Sequence, residues 1–242
     1  MLSKNQIKLI TSLQQKKYRK QYQLFLAEGI KVIEELLRSK YELQSLFVTV
    51  PPDFKVATDK IHTISPAELK KISALTTPNT CLAVFKIPTE KFSLKEGLIV
   101  ALDDVRDPGN LGTIIRLCDW FGVEQLVCSP ETVDIYNPKV VQATMGSIGR
   151  VAVLYTDLVP FLKTTSLPVF GTFMDGENIY KQDLPTNAIL IMGNEANGIS
   201  DEVAQCITSK LTIPRFGQLQ QTESLNVATA TAIILSEFKR NF

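Results

Sequence analysis

The chain has 242 residues, 45% hydrophobic content and a net charge of +1, which is enough for one large or two small cores and excludes global disorder. No apolar run approaches the roughly 18 residues that would span a bilayer, and the first 20 residues lack the pattern of a secretory signal. The four cysteines form no Cys-x-x-Cys pair and His62 is the only histidine, so we expect a cytoplasmic protein without a metal site.

Basic residues are concentrated at the N-terminus. Residues 1–40 contain nine Lys or Arg against three acids, a net charge of +6, whereas the remainder of the chain has a net charge of −5. This pattern predicts a surface for a polyanion such as RNA. The alternative is a solvated helix face that maintains solubility.

The first unit is predicted to contain three helices and two strands. In chain order these are a helix over Lys4–Leu13, a helix over Gly29–Arg38, a strand over Leu43–Val50, a helix from Ser65 to Ile72, and a strand over Cys81–Phe85. The segment from Lys86 to Gly97 has no apolar period, so we predict a domain boundary there, between residues 1–92 and residues 97–242.

The second unit alternates strands and helices, which predicts an α/β fold with a parallel sheet covered on both faces. Strands are predicted at Leu98–Leu102, Gln125–Cys128, Val151–Leu154, Val169–Phe173, Ile189–Met192 and Leu211–Ile213. Helices are predicted at Leu111–Phe121, Lys139–Ser147, Asp157–Lys163, Asp201–Thr208 and Leu225–Phe238. Ligands of such sheets bind at the carboxyl ends of the strands, so the loops that follow strands are the candidate site.

The loop after the first of these strands leads into a helix that carries Arg116. Asn110 is predicted to cap this helix, and Arg116 projects away from its apolar stripe, where it can meet a ligand. The alternative is a surface arginine paired with Asp119 or Asp103.

Two later loops are rich in glycine and polar residues. One runs from Gly193 to Gly198 around Glu195, before Ser200 as a predicted helix cap; without a Gly-Lys-Ser/Thr ending it is no phosphate loop, and its alternative interpretation is an ordinary turn. The other runs from Ile213 through the glutamine-rich stretch Gln218–Gln221 to a last helix that Ser224 or Asn226 could cap.

Taken together, the three loops resemble the motifs of the SpoU (TrmH-like) family of RNA ribose 2′-O-methyltransferases, in the SPOUT class. The motifs are Asn110-x-Gly112-x-x-x-Arg116, Gly193-Asn194-Glu195 to Gly198, and Ile213-Pro214 with Ser224-Leu225-Asn226-Val227. The first unit is similar to the family's N-terminal substrate-binding domain, in Phe25–Gly29 and in Leu46–Val48.

The resemblance implies a C-terminal SPOUT domain whose parallel sheet contains a trefoil knot, and a smaller ribosomal-protein-like α/β domain that binds RNA. It also implies a homodimer, S-adenosylmethionine as methyl donor with S-adenosylhomocysteine as product, and a ribose 2′-hydroxyl of RNA as acceptor, with ribosomal RNA preferred to transfer RNA. Alternative hypotheses are a non-catalytic RNA-binding or ribosome-assembly protein, a tRNA ribose methyltransferase, and a nucleotide-dependent enzyme on an ordinary doubly wound sheet.

The resemblance also implies roles for individual residues. The expected catalytic group is Arg116, Asn110, Glu195, Ser224 and Asn226, and the expected cofactor contacts are Gly171, Thr172, Met192, Gly193, Ile213 and Leu225. The expected RNA contacts are Lys16, Lys17, Arg19 and Lys20. Because a guanidinium is a poor base, we expect Arg116 to clamp a phosphate and to stabilise charge on the ribose oxygen, while the proton passes to phosphate or water.

Overall fold

The computed structural model describes residues 1–51, 54–89, 93–217 and 224–240. They form two compact units, the first made of Met1–Lys91 and Asp134–Arg150, the second of Phe92–Val133 and Val151–Phe242. No helix in the described ranges is both long and apolar enough to cross a membrane. The stretch Gln218–Gln221 and residues 90–92 of the predicted boundary segment lie outside the described residues.

The first 90 residues fold into four helices and four strands within the ranges that the structure describes. In chain order they are α1 (Lys4–Ser12), α2 (Lys16–Tyr22), β1 (Leu24–Glu28), α3 (Ile30–Leu37), β2 (Leu43–Val48), β3 (Ile61–Thr63), α4 (Pro66–Ile72) and β4 (Cys81–Lys86). The predicted helices and strands are confirmed to within about two residues. The prediction omitted α2, β1 and β3, because α2 has no apolar period and the two strands are short.

The rest of the chain alternates strands and helices. In chain order it contains β5 (Leu98–Leu102), α5 (Pro108–Trp120), β6 (Gln125–Cys128), α6 (Pro138–Thr144), β7 (Ala152–Tyr155), α7 (Leu158–Lys163), β8 (Val169–Asn178), β9 (Ala188–Met192), α8 (Asp201–Ala204), β10 (Ser209–Thr212) and α9 (Val227–Phe238). Helix α8 is shorter than predicted, because the chain turns at Gln205 and pairs as β10 from Ser209.

The sheet of the first unit has the order β1-β4-β2-β3, with β4 antiparallel to both of its neighbours. Helices α1 and α4 cover an apolar cluster that includes Leu13, Leu26 and Leu82, all nearly inaccessible to solvent. Ser65 begins α4 as predicted, through a reciprocal capping box with Glu68. Two backbone hydrogen bonds to the Glu68 carboxylate lower its pKa to about 2.

Residues 134–150, which carry α6, run between β6 and β7 but belong to the first unit. The sequence analysis placed this helix in the second unit, because strand and helix alternate through it without interruption. In the structure, α6 buries Val140 and Val141 and packs against β1. The tertiary partner of an amphipathic helix is not encoded in its period.

The second unit contains one sheet of six parallel strands, in the order β10-β8-β9-β5-β6-β7. The central strands β5, β6 and β9 are buried along their whole length, as expected for a parallel sheet with helices on both faces. On α5 the predicted apolar stripe is buried, which leaves Thr113, Arg116 and Trp120 on the exposed face. The α/β prediction is confirmed by this architecture.

Candidate functional site

The three polar loops follow neighbouring strands of the second unit's sheet. Strands β8 and β9 lie between β10 and β5, and all four are parallel, so their carboxyl ends meet at one edge. The loops after β5, β9 and β10 therefore converge, as the sequence analysis expected.

The loop after β5 is held by its own acidic residues. Asp103 is buried and accepts hydrogen bonds at 2.7 Å from both the backbone N and the Oγ of Ser200. The carboxylate of Asp104 bonds the Arg106 guanidinium at 2.7 Å and raises its pKa. Asp107 caps α5 by accepting from the backbone N of Asn110 at 2.8 Å.

Two capping predictions are corrected by these contacts. The prediction that Asn110 caps α5 is wrong, because Pro108 starts the helix one turn earlier and Asp107 occupies the cap. Ser200 precedes α8 as predicted, but its hydroxyl donates to Asp103 and makes no capping bond. In both cases the side chain that the sequence assigned to capping instead bonds a carboxylate of another loop, Glu195 for Asn110 and Asp103 for Ser200.

The loop after β9 is a closed turn that presents Glu195 at its tip. Asn194 and Gly198 exchange two backbone hydrogen bonds, and the Asn194 side chain accepts from the backbone N of Ala196 and of Asn197. The same side chain donates to the Asp104 carbonyl at 2.6 Å, which ties this loop to the loop after β5. Gly193 packs so tightly that a Cβ would lie 2.3 Å from the Gly198 carbonyl carbon.

The loop after β10 ends at Asn226, which caps α9. Its Oδ1 accepts from the backbone N of Ala228 and of Thr229, and its Nδ2 donates to Oδ1 of Asn110 at 2.9 Å. Of the two predicted caps of the last helix, Asn226 is the one the structure uses. Ser224 is exposed two residues before it.

A chain of side-chain hydrogen bonds joins the three loops. Asn226 donates to Asn110, and Asn110 Nδ2 donates to Oε1 of Glu195 at 2.7 Å. These residues are separated by 85 and 116 positions in the sequence, yet their polar groups share one exposed line at the carboxyl edge. Three of the five predicted catalytic residues are thus directly connected.

Arg116 lies six residues beyond Asn110 on the exposed face of α5. No ion pair joins it to another residue of the described ranges, so the alternative pairing with Asp119 or Asp103 is not observed. Its guanidinium donors are therefore available to an anion.

The predicted cofactor residues lie in or just after β8, β9 and β10, except Leu225, which precedes α9. Gly171 pairs with Ile191, and the Thr172 hydroxyl donates to the Ile191 carbonyl at 3.5 Å, so Thr172 lies beside the end of β9, where Met192 and Gly193 are buried. Ile213 is half-buried and Leu225 is exposed. The space over Gly171 is filled by Ile207 and Phe173, which gives this glycine a packing role as well.

The sequence analysis assigned no role to Asp103 or to the Asn194 side chain. Each makes a hydrogen bond between the β5 and β9 loops. The available signal was their position, since Asp103 directly follows β5 and Asn194 follows β9 by one residue.

The basic run of the first unit divides into exposed and buried residues. Lys16, Lys17 and Lys20 are exposed on α2, where the rings of Tyr18 and Tyr22 stack with centroids 6.3 Å apart. A cleft beside Tyr22 is also lined by Lys40 and Lys86 of this unit, and by Leu24, Ile87 and Pro88. Cations beside exposed aromatic rings are the groups that contact single-stranded nucleic acid.

The expectation that Arg19 contacts RNA is wrong. Arg19 is 2% exposed, and its guanidinium donates to the carbonyls of Leu13 and Gln14 and to Oδ2 of Asp134 at 2.6 Å. Its donors therefore stabilise the first unit and do not face solvent. A position within a basic run does not reveal which cation turns inward.

Comparison with known families and proteins matches both units. Residues 97–236 match the sequence model of the SpoU rRNA Methylase family, and residues 4–83 match that of the MRM3-like substrate binding domain. The 23S rRNA (guanosine(2553)-2′-O)-methyltransferase RlmP of Bacillus subtilis is 31% identical over 243 residues, which cover 96% of each chain.

Solved structures match the whole fold. A TrmH-family protein from Porphyromonas gingivalis is 42% identical with a TM-score of 0.91 over 100% of both chains. An rRNA methyltransferase from Sinorhizobium meliloti, solved with bound AdoMet, is 29% identical with a TM-score of 0.88, covering 100% of this chain and 96% of that one. The resemblance found in the sequence is confirmed.

Proposed function

The chain belongs to the SpoU rRNA methylase family, and from this premise we propose that it transfers a methyl group from S-adenosylmethionine to a ribose 2′-hydroxyl of ribosomal RNA. The observation that carries the proposal is the hydrogen-bonded chain from Asn226 through Asn110 to Glu195, which joins the three motifs at one edge of the sheet. Ribosomal RNA is favoured over transfer RNA because the relative RlmP, which matches nearly the full chain, is an rRNA enzyme.

The groups at this edge fit S-adenosylmethionine. The hydrogen-bonded chain supplies neutral amides and the Glu195 carboxylate, and Leu225 supplies exposed apolar surface; this set suits a sulfonium cation and a flat heterocycle better than a triphosphate. We assign backbone contacts to Gly193, Ile213 and Leu225, and lining contacts to Gly171, Thr172 and Met192. When bound, the cofactor supplies an electrophilic methyl group. In the described ranges no cluster of three His, Cys, Asp or Glu could hold a metal.

Arg116 is assigned to the acceptor. Its exposed guanidinium would hold a phosphate of the acceptor nucleotide and stabilise the negative charge that develops on the ribose oxygen. Glu195 and Asn226, connected through Asn110, would orient the ribose, and Ser224 would hold the last loop. Transfer would break the sulfonium–methyl bond as the new C–O bond forms, leaving S-adenosylhomocysteine, and the hydroxyl proton would pass to the phosphate or to water.

The RNA-binding surface is assigned to the first unit. Lys16, Lys17 and Lys20 would contact phosphates, supported by their exposure on α2 next to Tyr18 and Tyr22. Binding of this kind weakens with salt, by about one logarithmic unit per phosphate contact for each tenfold increase in salt concentration. The domains are proposed as residues 1–92 for RNA binding and residues 97–242 for methyl transfer, although residues 134–150 of the second range fold as part of the first unit.

Two assembly features follow the family pattern. We propose a homodimer, supported by Trp120, which is 85% exposed on the same face of α5 as Arg116, and measurable by light scattering. We also propose the trefoil knot that the family resemblance implies, supported by the packing of α9 against α5, although β10, the strand before α9, is separated from β5 by β8 and β9 in the sheet. The four free thiols agree with a reducing, cytoplasmic compartment.

The test is a map of ribose methylation in cellular RNA with and without this protein. We expect one 2′-O-methylated nucleotide of ribosomal RNA to disappear without the protein and to return when purified protein and S-adenosylmethionine are added to that RNA. A lost methyl group in transfer RNA would redirect the substrate assignment. RNA binding without any methyl transfer would favour the non-catalytic alternative and contradict the proposal.

A further inference from the structure

An exposed aromatic pair lies in the second unit, next to the last motif. Phe216 is 81% exposed and Tyr180 is 37% exposed, and their rings stack with centroids 6.3 Å apart and planes 30° from parallel. A phenylalanine so open to water gains almost nothing for the stability of the isolated chain. The proposed roles of the three motifs do not account for it.

The backbone beneath the pair is anchored to the site. Phe216 comes three residues after Ile213, and Thr212 Oγ1 donates to the Met174 carbonyl at 3.3 Å. The Arg215 guanidinium approaches Met174 Sδ to 3.8 Å. Residues 212–215 therefore lie along the segment that continues from Thr172, one of the proposed cofactor contacts.

That segment forms a long bulge in the pairing of β8 with β10. The pairing of β10 with β8 passes from Lys210–Gly171 directly to Leu211–Glu177, so residues 172–176 project from the ladder and carry Met174 outward. The bulge closes over Gly176, where a Cβ would lie 2.5 Å from the Leu211 carbonyl carbon. Only glycine at position 176 allows the backbone of the bulge to lie this close to Leu211. The position of Met174, two residues earlier, therefore depends on this close backbone contact.

The second ring of the pair, that of Tyr180, is held in place by a turn that packs against helix α9. Tyr180 lies in a 3-10 turn, Ile179–Lys181, which packs against α9 and buries Ile179 completely. Helix α9 is capped by Asn226, the end of the hydrogen-bonded chain described above. Phe216 thus closely follows the first half of the last motif, and Tyr180 lies on a turn that contacts the helix that the second half begins.

We infer that Phe216, backed by Tyr180, is the stacking platform for a nucleobase of the acceptor strand. The inference rests on the proposed function, since a strand whose ribose reaches this edge must splay its bases from their stack. An exposed ring with a second ring behind it and a guanidinium on the adjacent residue offers a base a π-face and positive charge together. The platform is a specificity-determining contact for the RNA, separate from the phosphate contact of Arg116.

The test compares four substitutions of Phe216 in the full-length protein, with ribosomal RNA from cells that lack it as the probe. We expect F216A to lower kcat/KM for RNA by about 5- to 150-fold, mainly through KM, as for loss of one base–aromatic stack. F216W and F216Y retain a π-face and are expected to stay near wild type. F216L restores apolar volume without a π-face and is expected to behave like F216A, whereas a merely structural role would be rescued by leucine.

Controls separate the platform from the cofactor and from self-association. Leu94 is an exposed apolar residue near the amino ends of β5 and β9, so L94A is expected to leave kcat/KM unchanged. Calorimetry is expected to give the same Kd for S-adenosylmethionine in wild type and F216A, and light scattering the same mass. A weaker cofactor Kd, an altered mass or rescue by F216L would overturn the inference.

A binding measurement distinguishes its failure from failure of the proposed function. Wild type is expected to quench the fluorescence of a single-stranded RNA oligonucleotide containing 2-aminopurine, and F216A is expected not to. If wild type transfers no methyl group to RNA, the proposed function fails, yet this quenching difference still supports the platform. If wild type is active and both proteins quench equally, the platform alone is wrong.

Discussion

Arg19 in the first unit and Arg116 in the second are two helical arginines whose environments are opposite. Arg19 is buried, and its guanidinium binds two backbone carbonyls and the Asp134 carboxylate. Arg116 is exposed and has no ion-pair partner in the described part of the chain. A saturated guanidinium contributes to folding, whereas an unsaturated one on the exposed face of the helix that follows β5 is available for chemistry.

The comparison predicts that substitution of Arg19 lowers the stability of the protein, whereas substitution of Arg116 lowers the rate of methyl transfer. Removing Arg19 leaves Oδ2 of Asp134 and two carbonyls without the donors of Arg19, and breaking a buried pair in this way costs about 3–5 kcal/mol of unfolding free energy. We expect this loss in R19A, measured by urea denaturation followed by circular dichroism.

The matched control is Lys20, the exposed neighbour of Arg19 on α2. We expect K20A to change the unfolding free energy by less than about 0.5 kcal/mol, as for other surface substitutions. It is also expected to reduce the salt slope of RNA binding by about one phosphate contact. Equal stability of R19A and K20A would contradict the structural role of Arg19.

The second prediction concerns Arg116. We expect R116A to lower cofactor-saturated methyl transfer at least roughly 100-fold, because a partner of the developing negative charge is lost. The Kd for S-adenosylmethionine and the unfolding free energy are expected to stay near wild-type values, since the side chain makes no ion pair in the described structure.

Thr113 on the same exposed face of α5 supplies the control for Arg116. T113A changes that face without removing a charge, and we expect its turnover to remain near wild type. If R116A turns over as fast as T113A at saturating cofactor, Arg116 has no part in the reaction and its exposure has another cause.

Local patterns were sufficient to predict most of the fold. The apolar stripe of α5, the helix that starts at Ser65 and the continuous apolar strands each depend on residues close in sequence, and all are confirmed. The orientation of Arg19 and the partner of α6 depend on contacts across the unit, between residues 115 positions apart in one case. Periodicity carries no information on such contacts.

The sequence was sufficient to predict which loops form the candidate site, but not which of their residues hydrogen-bond to one another. The rule that ligands bind at the carboxyl ends of parallel strands selects the loops of Asn110, Glu195 and Asn226. Their hydrogen bonds depend on strand order, which places β9 next to β5 although three strands and three α-helices lie between the two in the sequence. The same order explains why Asp103 and Asn194, which hold two loops together, had no assigned role.

The third prediction tests the hydrogen-bonded chain from Asn226 through Asn110 to Glu195, and its expected effect is a fall in turnover of about tenfold. N110D still accepts from Asn226 but faces Glu195 with a second carboxylate in place of a donor. An acid in the first turn of α5 is compatible with the helix, so we expect folding to be retained while turnover falls about 10-fold at neutral pH, the scale of a lost hydrogen bond to a charged group.

The control for N110D exchanges the carboxylate and the amide between positions 110 and 195. The double variant N110D/E195Q restores one donor and one acceptor, and we expect it to recover most of the turnover. N110D alone is expected to recover partly as the pH falls, because protonation of one carboxylate restores the donor. A double variant no better than N110D would show that the chain does not act as a unit.

The smallest expected effect is a pH dependence in the first unit, at Glu28. This carboxyl is buried at the end of β1, where it accepts from Ser73 Oγ and from the backbone N of Ala74, and burial raises its pKa. Between the unfolded value of 4.5 and the higher folded value, the folded state holds the proton more tightly. The contribution of Glu28 to stability is therefore fully present below pH 4.5 and is lost as the pH rises through the folded pKa.

E28Q removes this titration. We expect the unfolding free energy of wild type, relative to E28Q, to fall as the pH rises through that window and to be constant above it, as measured by urea denaturation at a series of pH values. S73A removes a hydrogen bond that lowers the pKa, so the decline is expected to extend to higher pH in that variant. Parallel curves for wild type and E28Q would mean that Glu28 is solvated in the folded state. Of the charged groups discussed in the first unit, only the pair of Arg19 and Asp134 would then include a buried charge, and there each charge is compensated by its partner.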